Sequence, residues 1–298
     1  MTRVGAVDLG SNATRLLVAD VVDGEVTEIL RRQRFTKLAE GVDARRRLLP
    51  VPIARVRNVL TDYRRTLESL GAERTLAVGT SAIRDSENGE AFLGEVEWSY
   101  GFTTHVATGD EEAQLTRRGV APAPGTLVVD IGGGSTELVL DDFHTSLPIG
   151  AVRFTERYAE DVVRCVAETR ALLPELQASH AIGVAGTVTT LAALDLQLAV
   201  YDRERVHGHR LSRTGAHAQR DRLAALSVDE RKALPAMEPE RAPVIVAGAS
   251  ILTAILDAYD LDAIEVSERD ILDGIAFAAA ELPAPEEGAA PPGAFTCC

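Results

Sequence analysis

Two short stretches of this chain are built for the same chemistry. AVDLGSNATRLLV spans residues 6–18 and VVDIGGGSTELVL spans residues 128–140. Laying Asp8 on Asp130 gives a constant offset of 122, which also pairs Val7 with Val129, Gly10 with Gly132, Thr14 with Thr136 and Leu16 with Leu138. Each copy sets an aspartate just ahead of a turn of small residues. Such turns present backbone N–H groups with no side chain in the way, a concavity suited to phosphate oxygens. An aspartate repels phosphate, so its presence makes sense when a divalent cation lies between the two; Mg²⁺ takes one or two protein carboxylates and keeps several waters. For either copy alone, a glycine-rich hairpin turn with a buried capping Asp is an equal reading. The shared register of a whole segment favours a doubled, metal-assisted phosphate site. Gly186 and Thr187 form a third small-residue turn before a helix, where an anion is again favoured.

Other candidates are less specific when taken alone. Asp110, Glu111 and Glu112 sit together at a helix start, where acids stabilise the helix dipole by about 0.3–1 kcal/mol each. Arg84 follows a strand in TSAIRD, where an ion pair with Asp85 or Glu87 competes with a phosphate contact. His207 and His209 have no partner ligands at metal-binding spacing and read as structural or substrate-edge residues. Cys165, Cys297 and Cys298 show no metal-ligand spacing either, and the terminal pair reads as tail thiols.

The elements that must position these residues are legible as periodicity. VGAVDL (4–9), TRLLVADVV (14–22) and EVTEILRRQRF (25–35) read as three paired strands, the last after an Asp23-Gly24 turn. Apolar residues at Ile53, Val56, Val59, Leu60, Tyr63, Leu67 and Leu70 have helical spacing, closed by Gly71. A strand entering a loop follows at 75–85, a helix at 86–101 with Ser86 as N-cap, then a short strand and a helix from about Asp110. The second half repeats the order: TLVVDI and TELVLDD pair, HTSLPIGAVRFTERY continues as a third strand, and a helix follows near 159–179. Residues 180–194 read as strand, turn and helix, 201–222 as a polar region bearing histidines, 242–260 as mostly helical, and 263–282 as strand, turn and helix. A boundary in APAPG (121–125) divides the chain into residues 1–120 and 121–282, with a low-complexity tail, expected to be disordered, from 283 to 298.

Composition narrows the function. The chain has 298 residues, 46% of them hydrophobic, and a net charge of −14. That balance argues against nucleic acid or a membrane surface as the main partner. No apolar run approaches the ~20 residues of a membrane span, and no secretory leader is expected, so the expected location is cytoplasmic. Residues 31–74 run against the trend, with twelve Lys and Arg against five Asp and Glu. A solvated helix face explains part of this; local attraction for a polyanion is the other reading.

With VDLGSN, LAEGVD (38–43), VGTSAIRDSEN (78–88), TGDEEAQL (108–115), DIGGGSTELV (130–139), VAGTVTTLAAL (184–194) and VHGHRLS (206–212), the sequence resembles the exopolyphosphatase / guanosine pentaphosphate phosphohydrolase family. That family lies within the actin, sugar kinase and heat-shock chaperone superfamily, and the resemblance covers residues 4 to about 280. It implies an α/β chain of two duplicated ribonuclease H-like, actin-like domains with a cleft between them. It implies Mg²⁺ as cofactor, and as substrate inorganic polyphosphate or guanosine pentaphosphate. It assigns catalytic roles to Glu112, Arg84 and Glu137 and metal binding to Asp130, with Asp8 similar. Phosphate contacts fall to Gly10, Ser11, Asn12, Gly132, Gly133, Gly134, Ser135, Gly186 and Thr187. Glu111 becomes a helix-start neighbour. Lys37 departs from the residues usual before LAEG. The added helical domains of long members are not in the sequence, which points to short chains or a nucleotide; a homodimer is a family expectation. The competing functions are an ATP-dependent kinase of the same superfamily and a non-enzymatic binder of guanosine polyphosphates.

Overall fold

A computed structural model describes residues 1–284. Its elements, in chain order, are β1 (Thr2–Leu9), β2 (Ala13–Val22), β3 (Glu25–Phe35), α1 (Val42–Arg45), α2 (Pro50–Leu70), β4 (Arg74–Gly79), α3 (Ser81–Arg84), α4 (Gly89–Tyr100), β5 (Thr103–Val106) and α5 (Gly109–Val120). There follow β6 (Thr126–Ile131), β7 (Thr136–Leu140), β8 (Phe143–Leu147), α6 (Ala151–Tyr158), α7 (Val162–Leu172), β9 (His180–Val184) and α8 (Ala185–Asp195). The chain closes with α9 (Arg203–Val206), β10 (Arg210–Ser212), α10 (Arg213–Ala224), α11 (Val228–Lys232), α12 (Ile245–Ala258), β11 (Ala263–Val266) and α13 (Ile271–Glu281).

The chain divides into two compact α/β units. The first combines residues 1–120 with the segment from Ile271 onward; the second holds Ala121–Asp270. In the first, the sheet order is β3-β2-β1-β4-β5, and in the second β10-β11-β9-β6-β7-β8. Three antiparallel strands followed by parallel β4 and β5 in one unit match β6, β7, β8, β9 and β11 in the other. β10 adds an antiparallel edge to the second sheet alone.

In the first unit, α2 buries Pro52, Val56, Leu60, Tyr63 and Leu67, the one-sided spacing read from the sequence, and ends at Gly71 with φ of 70°. The other sheet face buries Val4, Ala6, Leu17, Ala19, Leu76 and Val78 with Ile271, Leu272, Ile275, Ala276 and Ala279 of α13. This corrects the expected boundary: 271–282 does not stay with the second half. Its apolar face fills the exposed side of the first sheet instead. The second unit has its own core, centred on β6, α8 and α12.

Local departures have local causes. The third strand of the second half ends at Leu147; Pro148 follows, and Gly150 turns the chain into α6. The loop expected at 80–85 is partly a single helical turn, α3. α4 starts after Asn88 rather than Ser86; the Asn88 amide binds the Leu48 backbone, and Ser86 Oγ donates to Ala82 O. The expected tail disorder and the terminal cysteine pair lie outside the described residues. Cys165 is buried in the second core, where desolvation pushes its thiol up to about 11.

Candidate functional site

In the first unit, four charged side chains gather where β1 and β4 end and α5 begins. Asp8 and Arg15 are direct cross-strand neighbours on β1 and β2, and Arg15 Nε donates to Asp8 Oδ2 at 2.8 Å. Asp8 is 3% exposed. Glu112 belongs to the buried face of α5 with Ala113 and Thr116, and is itself 8% exposed. Arg84, the last residue of α3, donates from Nη1 to Glu112 Oε2 and to Ala107 O, both at 2.8 Å. Its Nε–Nη2 edge has no hydrogen-bond partner among the described residues. Neither Asp85 nor Glu87 takes Arg84, so the surface ion pair considered from sequence is replaced by a partly buried one with Glu112.

Burial pushes the Glu112 carboxyl up to about 7; the charge and hydrogen bond of Arg84 pull it down, Asp8 pushes it further up, and Arg15 pulls it down. A carboxyl balanced near neutrality is what general acid–base catalysis requires. Its neighbour does something else. Thr108 Oγ1 accepts the Glu111 N–H at 3.2 Å while Glu111 Oε2 accepts the Thr108 N–H at 2.8 Å, a reciprocal cap on α5. The carboxylate of Glu111 also lies 3.1 Å from His105 Nε2. Glu111 is thus committed to starting the helix that presents Glu112.

Both glycine turns close the same way. Gly10 N–H bonds Ala13 O at 3.1 Å, and Gly132 N–H bonds Ser135 O at 3.0 Å. Their carbonyls are turned into the protein. Ser11 O accepts from Ala39, and Asn12 O from Thr36 and Lys37. Gly132 O accepts from Ala151, Gly133 O from Val152 and Arg153, and Gly134 O from Arg153 Nε at 2.6 Å. In a trans peptide the C=O and the next N–H point opposite ways. The amides following those carbonyls are therefore directed away from their supports. Ser11, Asn12, Gly133, Gly134 and Ser135 have no backbone acceptor for their N–H groups among the described residues. This is the donor array that a phosphate oxygen needs.

The second unit carries Asp130 at the end of β6, directly opposite Glu137 on β7. Both are buried, and Glu137 Oε1 accepts from Ser146 Oγ at 2.7 Å. Glu137 occupies the position that Arg15 holds in the first copy. One unit pairs Asp with Arg, the other Asp with Glu. Two carboxylates on one sheet face favour a cation nearby, and their oxygen-only donors suit Mg²⁺. Asp8 already has a guanidinium on one oxygen. Among the described residues no group of three His, Cys, Asp or Glu could hold a metal ion alone, so an ion here would depend on substrate oxygens and water.

Gly186 opens α8, and its face is covered by Arg241: a Cβ there would come within 1.3 Å of Arg241 Nη1. Thr187 is buried against Gly248 of α12. His207 Nδ1 accepts from Glu268 N at 3.3 Å, and His209 Nε2 lies 2.9 Å from Asp195 Oδ2. Sequence reasoning missed Arg15, Arg153 and Arg241. Arg15 was reachable, since the offset places it on Glu137; Arg241 stands in a loop with no local signal.

A family model described as the Ppx/GppA phosphatase family matches residues 17–281. The chain is 37% identical to Exopolyphosphatase 2 of Mycobacterium tuberculosis, covering 94% of this chain and 99% of that protein. It is 30% identical to the guanosine-5′-triphosphate,3′-diphosphate pyrophosphatase of Vibrio vulnificus, covering 91% of this chain but 58% of that one. The crystal structure of an Aquifex aeolicus Ppx/GppA family member superposes with a TM-score of 0.78 at 31% identity, covering 95% of this chain and 99% of that chain.

Proposed function

This chain belongs to the Ppx/GppA phosphatase family and is a hydrolase of phosphoanhydride bonds, and from that premise we propose that it is a Mg²⁺-dependent enzyme removing the terminal phosphate of inorganic polyphosphate. The relative alike along its whole length is called an exopolyphosphatase; the guanosine pentaphosphate activity named for the Vibrio protein belongs to a longer chain. The observation that carries the reading is Glu112: buried, ion-paired to Arg84 and held near neutrality.

Glu112 Oε2 is engaged by Arg84, so Oε1 is the atom that accepts a proton from the attacking water. Arg84 fixes the carboxylate and offers its Nε–Nη2 edge as a fork for phosphate oxygens. The N–H groups of each glycine turn would hold phosphate oxygens and offset their charge. In the second unit Asp130, with Glu137 opposite it on β7, would hold Mg²⁺, which neutralises phosphate charge when bound; Asp8 is the corresponding residue of the first copy. Gly186 and Thr187 add a helix N-terminus favourable to an anion.

Purified protein, assayed for phosphate release from tripolyphosphate, longer polyphosphates and guanosine pentaphosphate with and without EDTA, tests this directly. Glu112→Gln should bind polyphosphate as before and lose at least ~100-fold in rate, the usual size of a lost acid–base group. Full activity in that variant would remove Glu112 from the chemistry.

A further inference from the structure

The arginine side chains of the basic stretch 31–74 have no role in the site above, and among the described residues five of the eleven are paired with carboxylates, Arg65 with Asp62 as one of them. Arg31 pairs with Glu28 and Asp273, Arg55 with Glu40, Arg57 with Glu95 and Arg64 with Glu68. Arg32 and Arg34 are different. They alternate onto one face of β3, the edge strand, and are exposed. Arg32 Nη1 donates to Thr66 Oγ1 at 3.0 Å and Arg34 Nη1 to Gln33 O at 2.9 Å. Neither has a carboxylate partner among the described residues. With Val59, Asp62, Tyr63 and Thr66 of α2 they line a groove of about 260 Å³.

The register of the sheet ties this groove to the first glycine turn. Arg34 lies opposite Thr14 and Arg32 opposite Leu16. Asn12 to Leu16 is about 13 Å of strand, at ~3.3 Å per residue. At the turn itself, the exposed Lys37 donates its backbone N–H to Asn12 O at 2.9 Å. Arg34 and Arg32 therefore follow one another away from the turn along the α2 face of the sheet, in a chain whose net charge is −14. The groove offers a nucleobase no stacking face: its one aromatic, Tyr63, is buried with its hydroxyl on Thr14 O at 3.0 Å.

We propose that the β3–α2 groove is a distal subsite for inorganic polyphosphate, in which Arg32 and Arg34 bind phosphates several positions from the one removed. The inference rests on the phosphohydrolase reading. It makes affinity rise with chain length until the groove is filled, and no further, which reconciles the expectation of short substrates with a dedicated basic track.

The test compares the full chain with Arg32→Gln/Arg34→Gln on tripolyphosphate, on polyphosphates of graded length and on guanosine pentaphosphate. The double variant should raise KM for the longer chains by about tenfold, the size of losing charge-assisted contacts. It should leave kcat, and KM for tripolyphosphate, unchanged. Asp62→Asn, which removes the groove's one acid, should lower KM for the longer chains and serves as the readout if the double variant folds poorly. Equal shifts on tripolyphosphate and long chains, or no shift, overturn the proposal. A shift on guanosine pentaphosphate comparable to that on long chains also overturns it, since the groove would then take the nucleotide's 3′-diphosphate. If the unmodified protein releases no phosphate from any substrate, the functional reading fails separately. Direct binding of long-chain polyphosphate then still decides the groove: weaker binding by the double variant supports it, and equal binding rejects it.

Discussion

Glu112 and Arg84 form a unit whose properties depend on their being buried together. The Glu112 carboxyl titrates near 7 because desolvation outweighs the pull of Arg84. A base must be ionised to accept a proton, so kcat/KM should rise as pH passes upward through about 7. Arg84 favours the ionised form; Arg84→Gln should therefore move this limb to higher pH, besides weakening phosphate binding. A pH–rate profile of the two proteins checks the sign, and an unmoved limb would mean that Glu112 does not govern it. The same shift acts on folding. Because the folded-state pKa lies above the ordinary carboxylate value, ionising Glu112 costs stability that is intact at low pH and lost as pH rises from about 4.5 to about 7. Relative to the parent protein, Glu112→Gln should gain stability between pH 4.5 and 8, seen as a rising difference in urea midpoints.

At the level of elements, the second glycine turn is shaped by α6. The first amides of that helix and the Arg153 side chain hold the carbonyls of Gly132, Gly133 and Gly134. Gly150, which starts α6, sits so close that a Cβ would lie 2.5 Å from Gly133 O, a backbone atom that cannot swing aside. Gly150→Ala should push the turn from its support, costing about 1–3 kcal/mol as an overpacking change. It should lower activity more than stability alone explains; thermal denaturation with kinetics at a temperature where both proteins are folded separates the two. α11 depends on another buried contact. Arg231, fully buried, donates to Leu223 O at 2.6 Å, Leu226 O at 2.7 Å and Glu160 Oε2 at 2.8 Å. Arg231→Ala leaves the Leu223 and Leu226 carbonyls without their donor, while the exposed Glu160 stays solvated, and should cost about 1–3 kcal/mol per buried group left unpaired, measurable by chemical denaturation.

For the whole molecule, the consequential feature is that the first unit is discontinuous in sequence. Its sheet is completed by α13, about 150 residues downstream of α5. Each large apolar side chain of α13 contributes about 1.5–3 kcal/mol by burial, so losing Ile271, Leu272 and Ile275 together approaches the whole stability of an ordinary domain. Ending the chain at Asp270 should unfold the first unit and leave the second, with its own core, protected. Limited proteolysis would then cut within residues 1–120 and spare 121–270; equal protection of both would refute this dependence. Among the described residues no helix is long and apolar enough to cross a membrane.

What the sequence determined is whatever is local or repeated. Strand alternation, the helical face of α2, the Gly71 stop and the 122-residue offset each arise from local or repeated residues, so the two-unit α/β plan and both glycine turns were legible. The likeness of the TGDEEAQL motif singled out Glu112 and left Glu111 to the helix start. Tertiary structure decided the rest, because it depends on residues distant in sequence meeting out of water. It placed Arg84 on Glu112 rather than on Asp85, set Arg15 against Asp8 where the second copy has Glu137, laid Arg241 over Gly186, and returned α13 to the first sheet. An ion pair, a raised carboxyl or a completed core is a property of the low-dielectric space around a group, and a linear order of residues does not specify that space.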